Sequence, residues 1–421
     1  MRLGASAKQA GRGAAARFGR REWLALALGL VAFVGIRAIL LPLPGLAGDV
    51  NDFLAWARAI NANGLGNAYD EAVSFPPVLP WIWWVLGSVA PDLLNPTQND
   101  PAALALIKLP ATLADLGIAA IVGWSLRDRP GWAVAATLAV LLHPAIFYVS
   151  AWWAQFESVY VLPMLIAWAL AVRGRPGWAA VAIAVSLMTK PQALPLAIPF
   201  AAWFLATSGW RGTARAAAIG AATIIVLWTP FLAVGGPGKY LEHLADYTAQ
   251  FAVLSLRAWN PWWILQSLTG GGEFVADGSA VLGPVTFRWL GIAITGLMEA
   301  LVFLWVLRRP TASGLAWGLA AAGLVAFIGL TTMHERYAYP ALVFLLLAWP
   351  HRLAVWTWAL LSVTITLNLV AAVPPSGEPG ALIPVDGPMG IVGSLAMTAG
   401  LVASMSGPRA GPAADGGIGP R

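Results

Sequence analysis

In a chain this apolar, the ionisable side chains standing where apolar runs break off are the ones placed to do chemistry. Asp49 and Asp52 lie in "PLPGLAGDVNDFLAWA", directly behind the first apolar run. Trp153, Gln155 and Glu157 lie in "SAWWAQFES", Lys190 and Gln192 in "TKPQ", Trp259 and Asn260 in "RAWNPWW", and His334, Glu335 and Arg336 in "MHERYAYP". A carboxylate near a membrane surface can take a proton from an attacking hydroxyl. Lysine, arginine and histidine can hold a phosphate and neutralise the charge that grows on it as it leaves. Together these groups suit transfer of a group from a lipid phosphate whose tail stays in the bilayer.

Other polar residues have plainer readings. Asp70, Glu71, Asp92 and Asp100 read as solvated surface. Arg37 and Asp115 fall inside apolar runs, where a structural pair or helix glue serves equally well as a role in chemistry. His143 opens "HPAIFYV" and reads as packing. Most tryptophans read as interface anchors or core, although those of "SAWWAQF" and "RAWNPWW" could stack against a sugar.

These groups must be positioned by membrane helices. Of the 421 residues, 59% are hydrophobic and only 10% charged, where soluble domains carry roughly 25%. Mean hydropathy is +0.73. Apolar windows of about 20 residues recur along the chain, the pattern of an all-α, polytopic transmembrane protein. The polar surface is too small for a separate soluble domain, so one integral membrane domain over 1–421 is expected. The net charge of +6 reflects location rather than nucleic-acid binding. Arg2, Lys8, Arg12, Arg17, Arg20 and Arg21 form a basic cytoplasmic leader over 1–22, and most other arginines sit in short turns. The leader carries no small-residue cleavage site, so Trp23–Leu43 reads as an uncleaved first span. With no cysteine and four scattered histidines, disulfides, thiolate chemistry and a metal cluster are not expected.

Charge bias orients the spans. The arginine turns "LRDRPG", "RGRPG", "SGWRGTAR", "RRPT" and "PHR", with a flexible tail over 406–421, are placed in the cytoplasm. The first outer loop, 45–101, holds six acids against Arg58 alone. A second long loop, 235–285, and the acidic stretch 374–388 are also outside. With Asp49 outside and Arg127 inside, an odd number of crossings must separate them. The proline-broken segment Phe75–Val89 therefore reads as juxtamembrane or re-entrant, leaving 102–126 as the second span. About 12 spans result, the rest near 131–149, 157–172, 178–190, 193–207, 216–234, 286–307, 314–332, 338–349, 353–372 and 389–405. The short ones hint at a cavity open to the outer leaflet, since broken helices need cover by protein or a cavity.

The ordered series "GDVNDFLAW", "SFPPVLPW", "IKLPATLADLG", "HPAIFYVSAWWAQFES", "AVSLMTKPQALPL", "RAWNPWW" and "TMHERYAYPAL" resembles the polytopic lipid-linked-sugar glycosyltransferases of the GT-C class. It looks closest to bacterial relatives of the ALG6/ALG8-type and PIG-M-type hexosyltransferases. The resemblance implies Asp49 as catalytic carboxylate and Glu157 as a second acid. It implies Lys190, His334 and Arg336, with Gln155 and Gln192, near the donor phosphate or sugar. Asp52, Trp153, Trp259 and Asn260 are then acceptor-side or supporting residues. The implied reaction is inverting transfer of a hexose, mannose or glucose favoured, from a polyprenyl-phosphate sugar. The acceptor would be a hydroxyl of a glycan, glycolipid, protein or polyol. The implied setting is a multi-pass protein of a bacterial inner membrane, acting at the periplasmic or exterior face among membrane lipids, as a monomer without nucleic-acid partners. Some relatives use a divalent cation; Asp49, Asp52 and Glu157 could hold one weakly, but no tightly bound cofactor or metal is expected. Rival readings are a transporter or flippase, which would need a coupling site and for which no inverted repeat is evident, a lipid-phosphate transferase moving a different group, and a scaffold.

Overall fold

In lipid, backbone N–H and C=O groups find no partner outside the chain, so apolar runs become helices. The computed structural model describes residues 18–95, 100–270 and 273–407, and it is helical almost throughout. Most of the basic leader and of the C-terminal tail lies outside the described residues. The helices are α1 (Arg20–Leu40), α2 (Ala47–Asn63), α3 (Val78–Val89), α4 (Pro101–Ser125), α5 (Pro130–Leu141), α6 (Pro144–Phe147), α7 (Glu157–Ala171) and α8 (Pro176–Leu187). After them come α9 (Leu194–Trp228), α10 (Gly236–Gln250), α11 (Pro261–Thr269), α12 (Phe287–Arg308), α13 (Ala312–Gly329), α14 (Tyr339–Phe344), α15 (Arg352–Ala372) and α16 (Gly387–Met405). Proline opens α4, α5, α6, α8 and α11, where its missing N–H costs nothing and its fixed φ already suits the helix.

Among the described residues, eight stretches are long and apolar enough to cross a membrane: Arg20–Leu40, Pro101–Ser125, Pro130–Trp152, Pro191–Val234, Phe287–Arg308, Ala312–Gly329, Arg352–Ala372 and Gly387–Met405. The protein is therefore a polytopic membrane protein. The Pro191–Val234 stretch breaks at Gly209, with φ 65° and ψ 179°, a conformation that a Cβ disfavours. Where "SGWRGTAR" suggests a turn of several residues, the break is one residue wide. The segments expected at 157–172, 178–190 and 338–349 are helices too, but each is shorter than a full crossing. Helix α13 is buried on nearly all sides, as expected for a helix apolar all round and rich in glycine and alanine.

Two features departing from an all-helical chain bear on the site. Strand β1 (Ser255–Leu256) pairs in parallel with β4 (Met333–His334), pinning the second long loop onto the "HERY" segment. A hairpin of β2 (Ala280–Leu282) and β3 (Val285–Thr286) precedes α12. Meanwhile α2 buries Val50, Phe53, Leu54, Ala57 and Ile60 at helical spacing against the 12-residue α3. Phe156 plugs the resulting layer, its ring 5.0 Å from Phe53 and 5.9 Å from Trp83.

Candidate functional site

Asp49 stands in the first turn of α2, where the helix dipole favours a negative charge. The corner that carries it is clamped. Lys108 on α4, wholly buried, donates from Nζ to the Leu43 carbonyl at 2.5 Å. At Gly45, φ is +65° and an added Cβ would lie 2.2 Å from the Trp152 carbonyl oxygen, so only glycine fits. The facing segment is equally specific: Tyr148–Trp152 forms a π-helical turn, and Ala154 takes φ 74°. That backbone turns two donors onto one oxygen. Trp153 Nε1 and Gln155 Nε2 donate to Asp49 Oδ2 at 2.9 and 2.5 Å.

Glu157 opens α7 and is 0% exposed. Its Oε1 accepts from Lys190 Nζ at 2.5 Å and lies 3.4 Å from Arg336 Nε. Arg336 also donates from Nη1 to Glu335 Oε1 at 3.0 Å. Its guanidinium lies 4.6 Å from the Trp153 ring centroid and 5.3 Å from that of Tyr337; Lys190 Nζ is 5.4 Å from the same Tyr337 ring. One tryptophan thus joins both halves: its N–H holds Asp49 and its face carries Arg336. Around the cations, Glu157 Oε2, Arg336 Nε and the Tyr160 hydroxyl are buried without a hydrogen bond, as is Gln192 Oε1, two residues beyond Lys190 in the chain. Leaving such groups unmet costs about 1–3 kcal/mol each, so their clustering marks a place that a polar ligand would complete.

Burial pulls the Lys190 ammonium down while Glu157 holds it up; the net direction is down. For Arg336 burial also opposes the charge, but Tyr337, Glu335 and Glu157 outweigh it and the guanidinium stays protonated. Burial raises the Glu335 carboxyl against the pull of Arg336. His334 is pushed well below its ordinary value, first by burial and then by Arg336 and Lys190. It is therefore a neutral ring at pH 7 rather than the third cation that its place in "HERY" suggests.

The remaining expected residues are placed as follows. Asp52 is exposed on α2; desolvation, then the Asp49 charge, raise its carboxyl. Trp259 and Asn260 have their polar atoms occupied in packing. The Trp259 backbone N–H donates to Asn368 Oδ1 and its Nε1 donates to the Val385 carbonyl, both at 2.9 Å. Asn260 caps α11 at Trp263 N and donates to the Phe327 carbonyl.

Several residues gain a place that spacing alone does not reveal. Lys108 and Tyr337 are two. Asp115 is a third, for Arg37 reaches its Oδ2 at 2.9 Å and Ser150 at 2.6 Å, while Ser158 bonds Oδ1. Ser158 also meets the Tyr339 hydroxyl at 2.8 Å. This buried hub ties α1, α4, the π-turn, α7 and α14, the elements that lead to Asp49, Glu157 and Arg336. Its only sequence signal is ionisable residues inside two apolar runs. Among the described residues, no group of three or more His, Asp or Glu side chains is arranged to hold a metal ion.

No protein-family model matches the chain, and no curated protein matches it. Among solved structures it is similar to the crystal structure of ArnT from Cupriavidus metallidurans bound to undecaprenyl phosphate. The match covers 92% of this chain and 77% of that one, with TM-score 0.51 and 16% identity. Over nearly its whole length, the chain shares the fold of that bacterial protein.

Proposed function

We propose that the protein is a GT-C-class glycosyltransferase that moves a hexose, mannose or glucose, from a polyprenyl-phosphate sugar to an acceptor hydroxyl. Transfer takes place at the periplasmic or exterior face of a bacterial inner membrane, with inversion. The observation that carries this reading is the Trp153 bridge, with a carboxylate on the indole N–H and a cation on its face. That pairing supports a reading in which Asp49 acts as base beside cations that hold the phosphate. The structurally similar ArnT was solved with a polyprenyl phosphate bound, which supports a donor of that class. About 12 crossings, counting the two parts of α9 and the short helices, would leave Asp49, Glu157, Lys190 and Arg336 on one face.

The donor phosphate, a diester with one negative charge, docks on Lys190 and Arg336, which Glu157 keeps in place as a positioning residue. The acceptor oxygen attacks the anomeric carbon from the side opposite the phosphate, and its proton passes to Asp49. The bond from that carbon to the phosphate oxygen breaks, and the electron pair leaves with polyprenyl phosphate. Lys190 and Arg336 stabilise the second charge this creates. Gln155 and Trp153 hold the Asp49 carboxylate in register for the proton.

The test is an assay of purified protein in lipid with radiolabelled polyprenyl-phosphate mannose or glucose and extracted lipid acceptors. Transfer is expected with one donor, and Asp49→Asn should lower the rate by about 10²–10⁴-fold, the range of a general base, with donor binding retained. A correctly folded D49N protein with near-native turnover would refute the assignment.

A further inference from the structure

The C-terminal end of α13 leads to the "HERY" segment and Arg336. Toward its other end lies a cavity of about 350 Å³. Helices α12 and α16 both pack on α13, and the cavity sits between them. None of its lining residues belongs to the site around Asp49 and Glu157.

Its mouth is cationic. Arg308 is exposed in the last turn of α12, and Arg309 follows it with its guanidinium 5.1 Å from the Trp305 ring centroid. Helices α13 and α16 contain no acidic residue, and the acid of α12, Glu299, stands nine residues deeper than Arg308. Among the described residues, no carboxylate forms an ion pair with Arg308. Beneath the cations the wall is apolar: Leu301, Leu304 and Trp305 from α12 face Met405 from α16. From Leu301 to Arg308 this wall runs about 10 Å along the helix. Leu301 and Leu304 are exposed, so the cavity opens sideways to the membrane. Trp317 of α13 closes the inner side; it is buried, and its indole N–H has no acceptor.

We propose that this cavity binds an anionic glycerophospholipid, with the phosphodiester on Arg308 and Arg309 and an acyl chain along Leu301, Leu304 and Met405. Two neighbouring cations without a helical carboxylate select an anion. The apolar wall beneath them selects an anion that carries hydrocarbon. A zwitterionic headgroup would press its own cation against the arginines. Basic pockets between membrane helices on the cytoplasmic side suit anionic headgroups in this way, and the charge bias of the arginine turns puts this end of the bundle in that leaflet. The ester oxygens below the phosphate are acceptors of the kind that the Trp317 N–H lacks. Arginines at helix ends also serve orientation, but that role alone gives a diffuse attraction in which every arginine turn counts equally. The cavity sets Arg308 and Arg309 apart from the others.

Transfer plays no part in the test. The full chain, purified in an uncharged detergent, is titrated with phosphatidylglycerol, with phosphatidylcholine of the same chains, and with glycerophosphoglycerol, the headgroup without its chains. Adducts are measured by native mass spectrometry. Phosphatidylglycerol should bind saturably and several-fold more tightly than phosphatidylcholine, and glycerophosphoglycerol should not bind. Arg308→Gln should weaken the adduct roughly fivefold, and adding Arg309→Gln should weaken it several-fold more. Arg211 and Arg215, exposed in another arginine turn, provide the control: R211Q/R215Q removes the same charge and should leave binding nearly unchanged. Because Arg308 is exposed, Arg308→Gln should keep the parent's melting temperature in lipid-free detergent. Equal weakening by the two double variants would reduce the binding to diffuse charge and overturn the proposal. Equal binding of phosphatidylcholine, binding of glycerophosphoglycerol at the affinity of the lipid, or no lipid adduct would also overturn it. So would Arg308-dependent pairing of two chains in place of a lipid adduct.

Discussion

The guanidinium of Arg336 rests over the Trp153 ring, 4.6 Å from its centroid, while the N–H of the same indole holds Asp49 at 2.9 Å. Neither Asp49 nor Arg336 can shift without disturbing the surface that fixes the other. The two roles of the indole are chemically separable, which makes Trp153 the most informative residue to replace.

Trp153→Phe keeps an aromatic face for Arg336 and removes the N–H donor. One hydrogen bond to a charged group contributes about 1.5–3 kcal/mol, so kcat should fall by roughly ten- to a hundredfold with donor KM little changed. Trp153→Ala removes both roles and should also raise donor KM. Steady-state kinetics on both variants separate the effects; equal donor KM in F and A variants would show that the face does not place Arg336.

Glu157 and Lys190 form a buried pair at 2.5 Å. Removing one partner of such a pair strands a charge and costs about 3–5 kcal/mol. Glu157→Gln and Lys190→Met should each lower the melting temperature in detergent, and the double variant should lose less than the sum of the two. Arg336, 3.4 Å from the same oxygen, keeps the coupling from being complete. Additive losses would mean that the pair contributes nothing as a pair.

His334 makes stability depend on pH in a fixed direction. In the unfolded chain an imidazole titrates near 6.5, whereas in the fold its value is pushed well below that. Above about 6.5 the ring is neutral in both states. As pH falls below that value the unfolded state takes up the proton first, so stability is lost progressively toward the folded-state value. Melting temperatures recorded from pH 7.5 down to 5 should fall more steeply in the parent than in His334→Gln. Parallel curves would place a charged imidazole in the fold.

Topology is open to direct labelling because the chain has no cysteine. Asp92 and Asp128 are both exposed, the first behind α3 and the second in an arginine turn. In intact cells, Asp92→Cys should react with an impermeant maleimide, and Asp128→Cys should react only after permeabilisation. Protection of Asp92→Cys with outside labelling of Asp128→Cys would make α3 a true crossing and invert the arrangement beyond it.

Residue order alone identifies a bundle of membrane helices whose few ionisable groups gather where helices end. Hydropathy is a property of contiguous residues, and lipid leaves a contiguous apolar run only one way to satisfy its backbone. Even the short or broken helices were legible, from Pro76, Pro77, Pro80 and Pro191. Pairing was not. Asp49 and Trp153 are 104 residues apart, and Ser158 and Tyr339 are 181 apart. Their meeting depends on how whole helices pack, which no local pattern encodes. Tertiary structure alone decided that Glu157 faces two cations, that Asp115 joins elements from both halves of the chain, and that Trp259 and Asn260 belong to packing. It also brought α10, polar and unremarked in sequence, beside the site, because Tyr240 and Lys239 anchor it to Tyr69 and Asp70. The physical reason is the same in each case: burial and partner set the role of a charged or aromatic side chain, and both are properties of the assembled bundle rather than of the segment.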